Sequence, residues 1–590
     1  MIEARVYRAA FVPALLALIL AMFSFQSRPA PLPQGLAADV LFDGRLAAAS
    51  AADIATSEPD RRAGRPGNLR TAALVRRRLR ALAFTRTRQR FSRAGRSLEN
   101  VIGRRVGRSR RQIVIVAARD AAVVPEATGS AADTAALLEL ARVFGGRPTR
   151  KTLVLASVDG STLGEAGATE LLAELPSPEL VDGVLVMSDL ADAGIESPVQ
   201  AWSTNPRRAG VGLQRTVAES IREEIDIGQA GTGAFGQLAR LSFPTGIGPQ
   251  AVLIEAGYDA VRISGSGELP PDGRGPVEAI DEDTIGALGR ATLRTVTALD
   301  QGPRPEHGPA TYVTVAGQLI AGWVLALVSG SLLLPAFVAS VDAFARARRR
   351  RVDVLRWLRF VGAWTAPFLA ALATAEVLAL AGATPAPPPA PVPPGQLPLD
   401  GAALGVLAGV AAAAALAFGL GRWLAARPDP SATRPAGPGA PVAVAIVVSV
   451  ASLALWVANP YTGLMAVPAA HLWLLAVLSG PRRRRSRAAL LGLGALVPVL
   501  VATYYLVVLS LDPLSGAWYL LLLVIGHSVG FVTSLLACVM LGALGAACEL
   551  AYRSPASPAE EEQPLGPSVF GPAAHAGQGS IRGTGSALRR

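Results

Sequence analysis

Histidine, cysteine and lysine are almost missing from this 590-residue chain, which has four histidines, two cysteines and a single lysine, Lys151. Between residues 28 and 306 there is no histidine and no cysteine. That excludes from this segment disulfides, imidazole bases, and metal sites built on imidazole or thiolate. The lack of disulfides leaves the compartment open, because a core of about 270 residues is stable without staples. Few lysines do not mean little positive charge: every other basic residue is arginine, and the formal net charge is +12. We read that as a genome bias toward arginine. Acids are scarce in one stretch, residues 61–111, where Glu99 stands alone among 18 arginines.

Long hydrophobic runs are plentiful. At 51% hydrophobic residues the chain is too apolar to be one soluble domain. Residues 9–25 ("AAFVPALLALILAMFSF") are uncharged and follow Arg5 and Arg8. No clean small-residue cleavage site follows them, which favours a retained signal anchor over a cleaved signal peptide. After the central segment, apolar stretches long enough to span a bilayer lie near 312–341, 357–383, 401–421, 441–458, 464–480, 488–510 and 517–552. The last is long enough to be one span or two short ones broken near "GHSVG" (526–530). Arginine clusters at 346–351, 422–434 and 481–487 occupy every second loop, whereas loops 384–400, 459–463 and 511–516 have no Arg or Lys. Positive charge accumulates on the cytoplasmic side. Eight spans with both termini cytoplasmic fit that pattern, in a multi-pass plasma-membrane protein. The division expected is an anchor (1–27), an extracytoplasmic domain (28–310), a transmembrane helical domain (311–552) and a disordered cytoplasmic tail (553–590). The outer loop "PAPPPAPVPPG" (385–395) is expected to be an extended polyproline spacer.

In residues 28–310 short β-like runs alternate with helical patterns, which predicts an α/β domain with a mostly parallel sheet. Strands are expected at 111–118, 151–158, 182–189 and 259–264, and helices at 68–82 and 133–144. Ligand crevices in such sheets open at the carboxyl ends of the strands. Asp120, Asp133, Asp159 and Asp189 fall just after strands or at helix starts, where a capping role is the plain alternative to a functional one. In "VDGSTLGEAGA" (158–168) the glycines mark a sharp strand-to-helix turn whose apex is Ser161 and Thr162.

The ordered series "DRRAGRPGNLRTAALVRRRLRAL", "ENVIGRRVGRSRRQIVIVAARD", "GSAADTAALLEL", "VDGSTLGEAGA", "VLVMSDL" and "GPQAVLIEAGYDAV" resembles the co-catalytic zinc exopeptidases of the aminopeptidase Y and leucyl aminopeptidase type, over roughly residues 40–265. The resemblance implies that metal-ligand positions fall on Ala118, Asp120, Asp133, Thr162, Asp189 and Gln250, and the general base on Ser161. Only the aspartates keep a ligating side chain. Neither Ser161 nor Thr162 is a base near neutral pH, and no histidine is at hand to activate Ser161. A purely carboxylate cluster selects hard cations rather than zinc. We therefore expect no cofactor, zinc included, and a catalytically inactive domain. Converging acids without a metal repel one another, and Arg119, Arg207 or Arg208 could supply the missing positive charge.

An outer exopeptidase-like domain between a first span and several later ones is similar in layout to the GAA-type subunit of the GPI transamidase complex and to the endoplasmic-reticulum metallopeptidases. The loss of ligands matches the former. The leading expectation is a non-catalytic protein whose vestigial cleft binds a peptide, lipid-linked or protein partner. Its rivals are an active metallopeptidase using Asp120, Asp133 and Asp189 with another cation, and a transporter or lipid-handling protein with an accessory outer domain. For the last, Glu376, His471 and His527 stand out as ionisable groups within apolar runs, where they serve either function or interhelical packing. Membrane lipid is an expected partner. Residues 61–111 form either a docking face for an anionic envelope surface or a solvated face. Nucleic acid is not expected.

Overall fold

The computed structural model describes residues 3–33, 41–195, 197–226, 232–270, 275–426, 437–479 and 484–552. The expected tail, 553–590, and parts of the arginine clusters at 422–434 and 481–487 lie outside them. The chain leaves a first apolar helix at Met22 and enters strand β1 (Phe25–Ser27). Seven strands then form one sheet: β2 (Thr85–Arg93), β3 (Arg96–Arg105), β4 (Ser109–Ala118), β5 (Lys151–Val158), β6 (Val181–Ser188), β7 (Val199–Gln200) and β8 (Ala260–Ser264). Their order is β2-β3-β5-β4-β6-β8-β7. The pairs β4–β5, β4–β6 and β6–β8 are parallel, and the outer pairs are antiparallel. Every residue of β5 is buried, as are nearly all of β6. A strand buried on both faces reads as a continuous Val/Leu run, which is why "KTLVLASV" and "DGVLVMSD" were legible. Helices Gly44–Ser57, Ser130–Gly145 and Glu282–Gln301 pack together over the sheet, and Ala166–Leu171 packs with Pro249–Glu255.

Two hairpins depart from expectation. Strands β2 and β3 lie in the arginine-rich stretch and turn at Ala94 and Gly95, both with positive φ (48° and 71°). That is the mirror-type two-residue turn whose twist suits a hairpin. The second, β9 (Tyr312–Val315) and β10 (Gln318–Ala321), turns the same way at Ala316 and Gly317. Residues 312–321 are therefore strand rather than the start of a span, because this turn breaks the apolar run. β10 pairs antiparallel with β1, so the chain leaving the first span is stitched to the chain entering the second.

Among the described residues eight helices are long and apolar enough to cross a membrane: Ala4–Met22, Gly322–Arg349, Val354–Leu380, Gly401–Trp423, Gly439–Ala458, Pro460–Leu478, Arg484–Val508 and Phe531–Tyr552. The chain is thus a mixed α/β domain joined to a region of apolar helices, a multi-pass architecture. The final stretch contributes one span, since Pro513–Ile525 has only 13 residues and a bilayer needs about 20.

Candidate functional site

The carboxyl ends of β4, β5, β6 and β8 converge, as the sheet topology requires. Asp120 follows β4. Its Oδ1 accepts from the Ser161 N–H and Oγ, both at 2.9 Å, and its Oδ2 from the Thr162 N–H at 2.8 Å and Oγ1 at 2.7 Å. Both carboxylate oxygens are thus spent on the turn. The two residues where the resemblance places acids are instead the donors that hold the third acid. The turn itself is a short 3-10 stretch, Ser161–Leu163, between Gly160 and Gly164, which both take left-handed φ.

Behind the turn, Asp159 and Arg119 are fully buried and paired at 3.6 Å. Asn68 donates to Asp159 at 2.8 Å, and Arg119 donates to the Asn68 side chain at 2.6 Å. Burial raises the Asp159 carboxyl to about 6, with Arg119 opposing and Asp120 adding to the rise. Arg119 therefore does supply positive charge to acids here, to Asp159 first and to Asp120 next. Arg207 is exposed. Arg208 lies elsewhere, between the rings of Trp202 and Tyr312.

Asp133 and Asp189 adjoin each other. Asp133 accepts from the backbone N–H groups of Asp189 (3.2 Å) and Leu190 (3.1 Å). Asp189 has φ of +51° and accepts from Ser266 at 2.7 Å and Ser188 at 3.0 Å. A third acid, Glu126, accepts from the N–H groups of Ala122 and Ser130. Burial raises all three carboxyls, and the neighbouring Asp189 pushes Asp133 and Glu126 further up. Two buried cations stand among these acids: Arg61, whose charge bears on Glu126, and Arg262 on β8, whose charge bears on Asp189, Glu165 and Asp133. Gln250 is 1% exposed; its Nε2 donates to the Ile247 carbonyl, and its Oε1 has no hydrogen-bond partner. Ala118 ends β4 and carries no polar group.

Sequence reasoning missed Glu165. It is 5% exposed with φ of +60°, and its Oε2 has no partner. Burial raises it well above the ordinary carboxylate range; Asp120 adds to the rise and Arg262 opposes it. The signal was a charged residue inside an otherwise small and apolar "GEAGA". Arg262 carried a similar one, a charge in the middle of the strand run "DAVRIS".

Among the described residues no three His, Cys, Asp or Glu side chains converge so as to hold a metal ion. Where the resemblance implies imidazoles this chain has Ala118 and Gln250, and each Asp120 oxygen already accepts from two donors of the turn. No family model matches the chain, and no curated protein matches it in sequence. Solved structures similar to it include BSAP, a zinc aminopeptidase from Bacillus subtilis, at 12% identity over 45% of this chain and 98% of that one, with a TM-score of 0.36. A glutaminyl cyclase from an Acidobacteriales bacterium is 16% identical over 47% of this chain and 99% of its own, at 0.35. The LapA aminopeptidase of Legionella pneumophila is 12% identical over 45% of this chain and 73% of its own, at 0.37. Likeness at this level transfers no chemistry.

The proline-rich loop is not a free spacer. Pro388 and Pro389 lie so close to Gly164 that a Cβ there would stand 2.8 Å and 2.4 Å from their side chains. Tyr519 donates to the Val392 carbonyl at 2.8 Å, and Ala390 and Val392 are buried. The loop thus touches the turn at Gly164 and is tied to the helix Pro513–Ile525 through Tyr519 and Trp518.

The ionisable groups of the spans do not form one cluster. His471 donates through Nε2 to the Leu332 carbonyl (2.7 Å), and its Nδ1 accepts from the Tyr7 hydroxyl (2.6 Å), tying the first helix to the bundle. His527 is exposed in the turn beyond Ile525, with φ of +56°, so it lies outside the helices rather than inside a span. Glu376 has one buried oxygen without a partner. In the arginine-rich stretch, Glu99 pairs with Arg76 and Arg88, and β2 is a sheet edge whose alternating Arg86, Arg88 and Arg90 are exposed. Charged side chains on an edge strand oppose pairing with another sheet.

Proposed function

We propose that this is a multi-pass membrane protein whose extracytoplasmic domain keeps the frame of a zinc exopeptidase without its hydrolysis, and serves to bind a partner. The observation that carries the reading is Asp120, whose two oxygens are occupied by four donors from Ser161 and Thr162. A carboxylate so committed neither ligates a cation nor takes a proton from water without unmaking the turn. The loop over Gly164 supports the same reading, since it lies where a substrate would approach that turn. The layout is similar to that of the GAA-type subunit, and with it the binding role is taken as scaffold-like. The arginine pattern supports cytoplasmic termini and a plasma-membrane location.

The test is an aminopeptidase assay on the full chain in neutral detergent, with aminoacyl anilides and with added zinc, cobalt or manganese. No turnover above the detergent blank is expected under any metal. Turnover abolished by Asp133→Ala would restore the peptidase reading.

A further inference from the structure

Three arginines, Arg28, Arg208 and Arg215, gather where the outer domain meets the membrane region, at the far end of a cavity that begins at the crevice acids. Arg208 is 8% exposed and stacks 4.2 Å from the Trp202 ring centroid and 4.4 Å from that of Tyr312. It donates to the Gln237 side chain (2.8 Å) and the Tyr312 carbonyl (3.2 Å), its Nε has no partner, and no carboxylate reaches it among the described residues. Arg28, just beyond β1, also has an Nε without a partner, and Arg215 donates to the Arg28 and Pro29 carbonyls. Arg240, which shares the Trp202 ring, differs because Glu268 neutralises it. A buried guanidinium without a counter-ion is costly, and two aromatic faces offset only part of that cost.

These groups line a cavity of about 2080 Å³ that also reaches the crevice acids Glu126 and Asp189 and is lined on its membrane side by the apolar helices. That wall includes Val507, Val508, Leu509 and Leu511, at and beyond the end of the helix Arg484–Val508, and Trp518. Trp202 packs in one apolar cluster with Tyr461 and Leu325, which begin two of the spans, so the arginine stack sits at the level of the span ends. The loops on this side, 384–400, 459–463 and 511–516, carry no basic residue. The cations of this face are therefore supplied by the domain, and into the cavity.

We infer that this cavity binds an anionic amphiphile, a phosphate-bearing headgroup on Arg208 and Arg28 with its apolar chain along Val507–Leu511. The inference deepens the binding role proposed above by naming its ligand. A planar guanidinium matches phosphate oxygens, and a bilayer leaflet delivers such a headgroup at this level. The same phosphate chemistry could come from a soluble anion, and the test separates the two.

The full chain in neutral detergent is titrated with dihexanoyl phosphatidylglycerol, dihexanoyl phosphatidylcholine and inorganic phosphate while its melting temperature is followed. A saturable rise is expected with phosphatidylglycerol and none with phosphatidylcholine. Arg208→Gln should weaken the lipid at least about tenfold, the scale of one charge-assisted hydrogen bond. Val508→Glu, which leaves the arginine stack intact, should weaken the lipid and leave phosphate unaffected. Equal rises with both lipids, or an unchanged midpoint in Arg208→Gln, would overturn the site. Phosphate binding as tightly as the lipid would replace the amphiphile by a soluble anion. The cleft fails separately: hydrolysis would overturn its inertness with lipid binding intact, and absent lipid binding would leave the cleft inert.

Discussion

Asp120 and Asp133 hold similar positions in the crevice but carry different burdens. Asp120 fixes the turn after β5, so Asp120→Ala removes an acceptor from two backbone N–H groups and two hydroxyls. Hydrogen bonds to a charged group are worth about 1.5–3 kcal/mol each and do not simply add, so we expect a loss of roughly 3 kcal/mol. Pulse proteolysis of the full chain measures it. Asp133 is held high by burial and by Asp189. Its native state keeps a proton that the unfolded chain gives up above about pH 4. Stability from this group is therefore complete below that pH and is lost as pH rises toward the native value, at up to about 1.4 kcal/mol per pH unit. Asp133→Asn should flatten the fall in melting temperature as pH rises above about 4; an unchanged slope would contradict this. The absence of histidine from residues 28–306 was legible at this scale, because a missing residue type needs no geometry to be noticed. Glu165 and Arg262 were not, because a charge within a glycine-rich turn or a short strand reads as surface until burial is known.

At the scale of elements, the parallel strands announce themselves by continuous apolar runs, while the hairpins do not. β2 alternates arginine with small or polar residues on a sheet edge, and β9–β10 hides its turn in an apolar run. The contact of the proline loop with the turn was not legible, since its partner is a glycine without a side chain to signal contact. Gly164 has φ of +70° and Pro389 against it. Gly164→Ala meets both a strained backbone and a clash, with an expected cost of roughly 1–2 kcal/mol from the backbone alone. The loop 385–395 should then exchange amide hydrogens faster and be cut sooner by protease, while exchange in β4–β6 stays as before. Unchanged protection of the loop would mean that it is not seated on the turn.

For the whole molecule, the proposed orientation rests on arginine placement, and eight spans with both termini inside would give a simple labelling pattern. In a chain with Cys538 and Cys548 replaced by alanine, a cysteine at Gln396 or Ser515 should react with an impermeant maleimide from outside intact cells. One at Ser486 should react only after lysis. Reversed labelling would invert the topology and place the α/β domain in the cytoplasm. The hydropathy pattern gave the spans; what it could not give was the stitch between β1 and β10, which pairs residues nearly three hundred positions apart. The central claim is that the crevice keeps an exopeptidase frame with no metal chemistry, and metal binding tests it most directly. The full chain, dialysed against zinc and then against metal-free buffer, should retain far less than one zinc per chain, with Asp133→Ala indistinguishable from it. One zinc per chain, lost in Asp133→Ala, would contradict it.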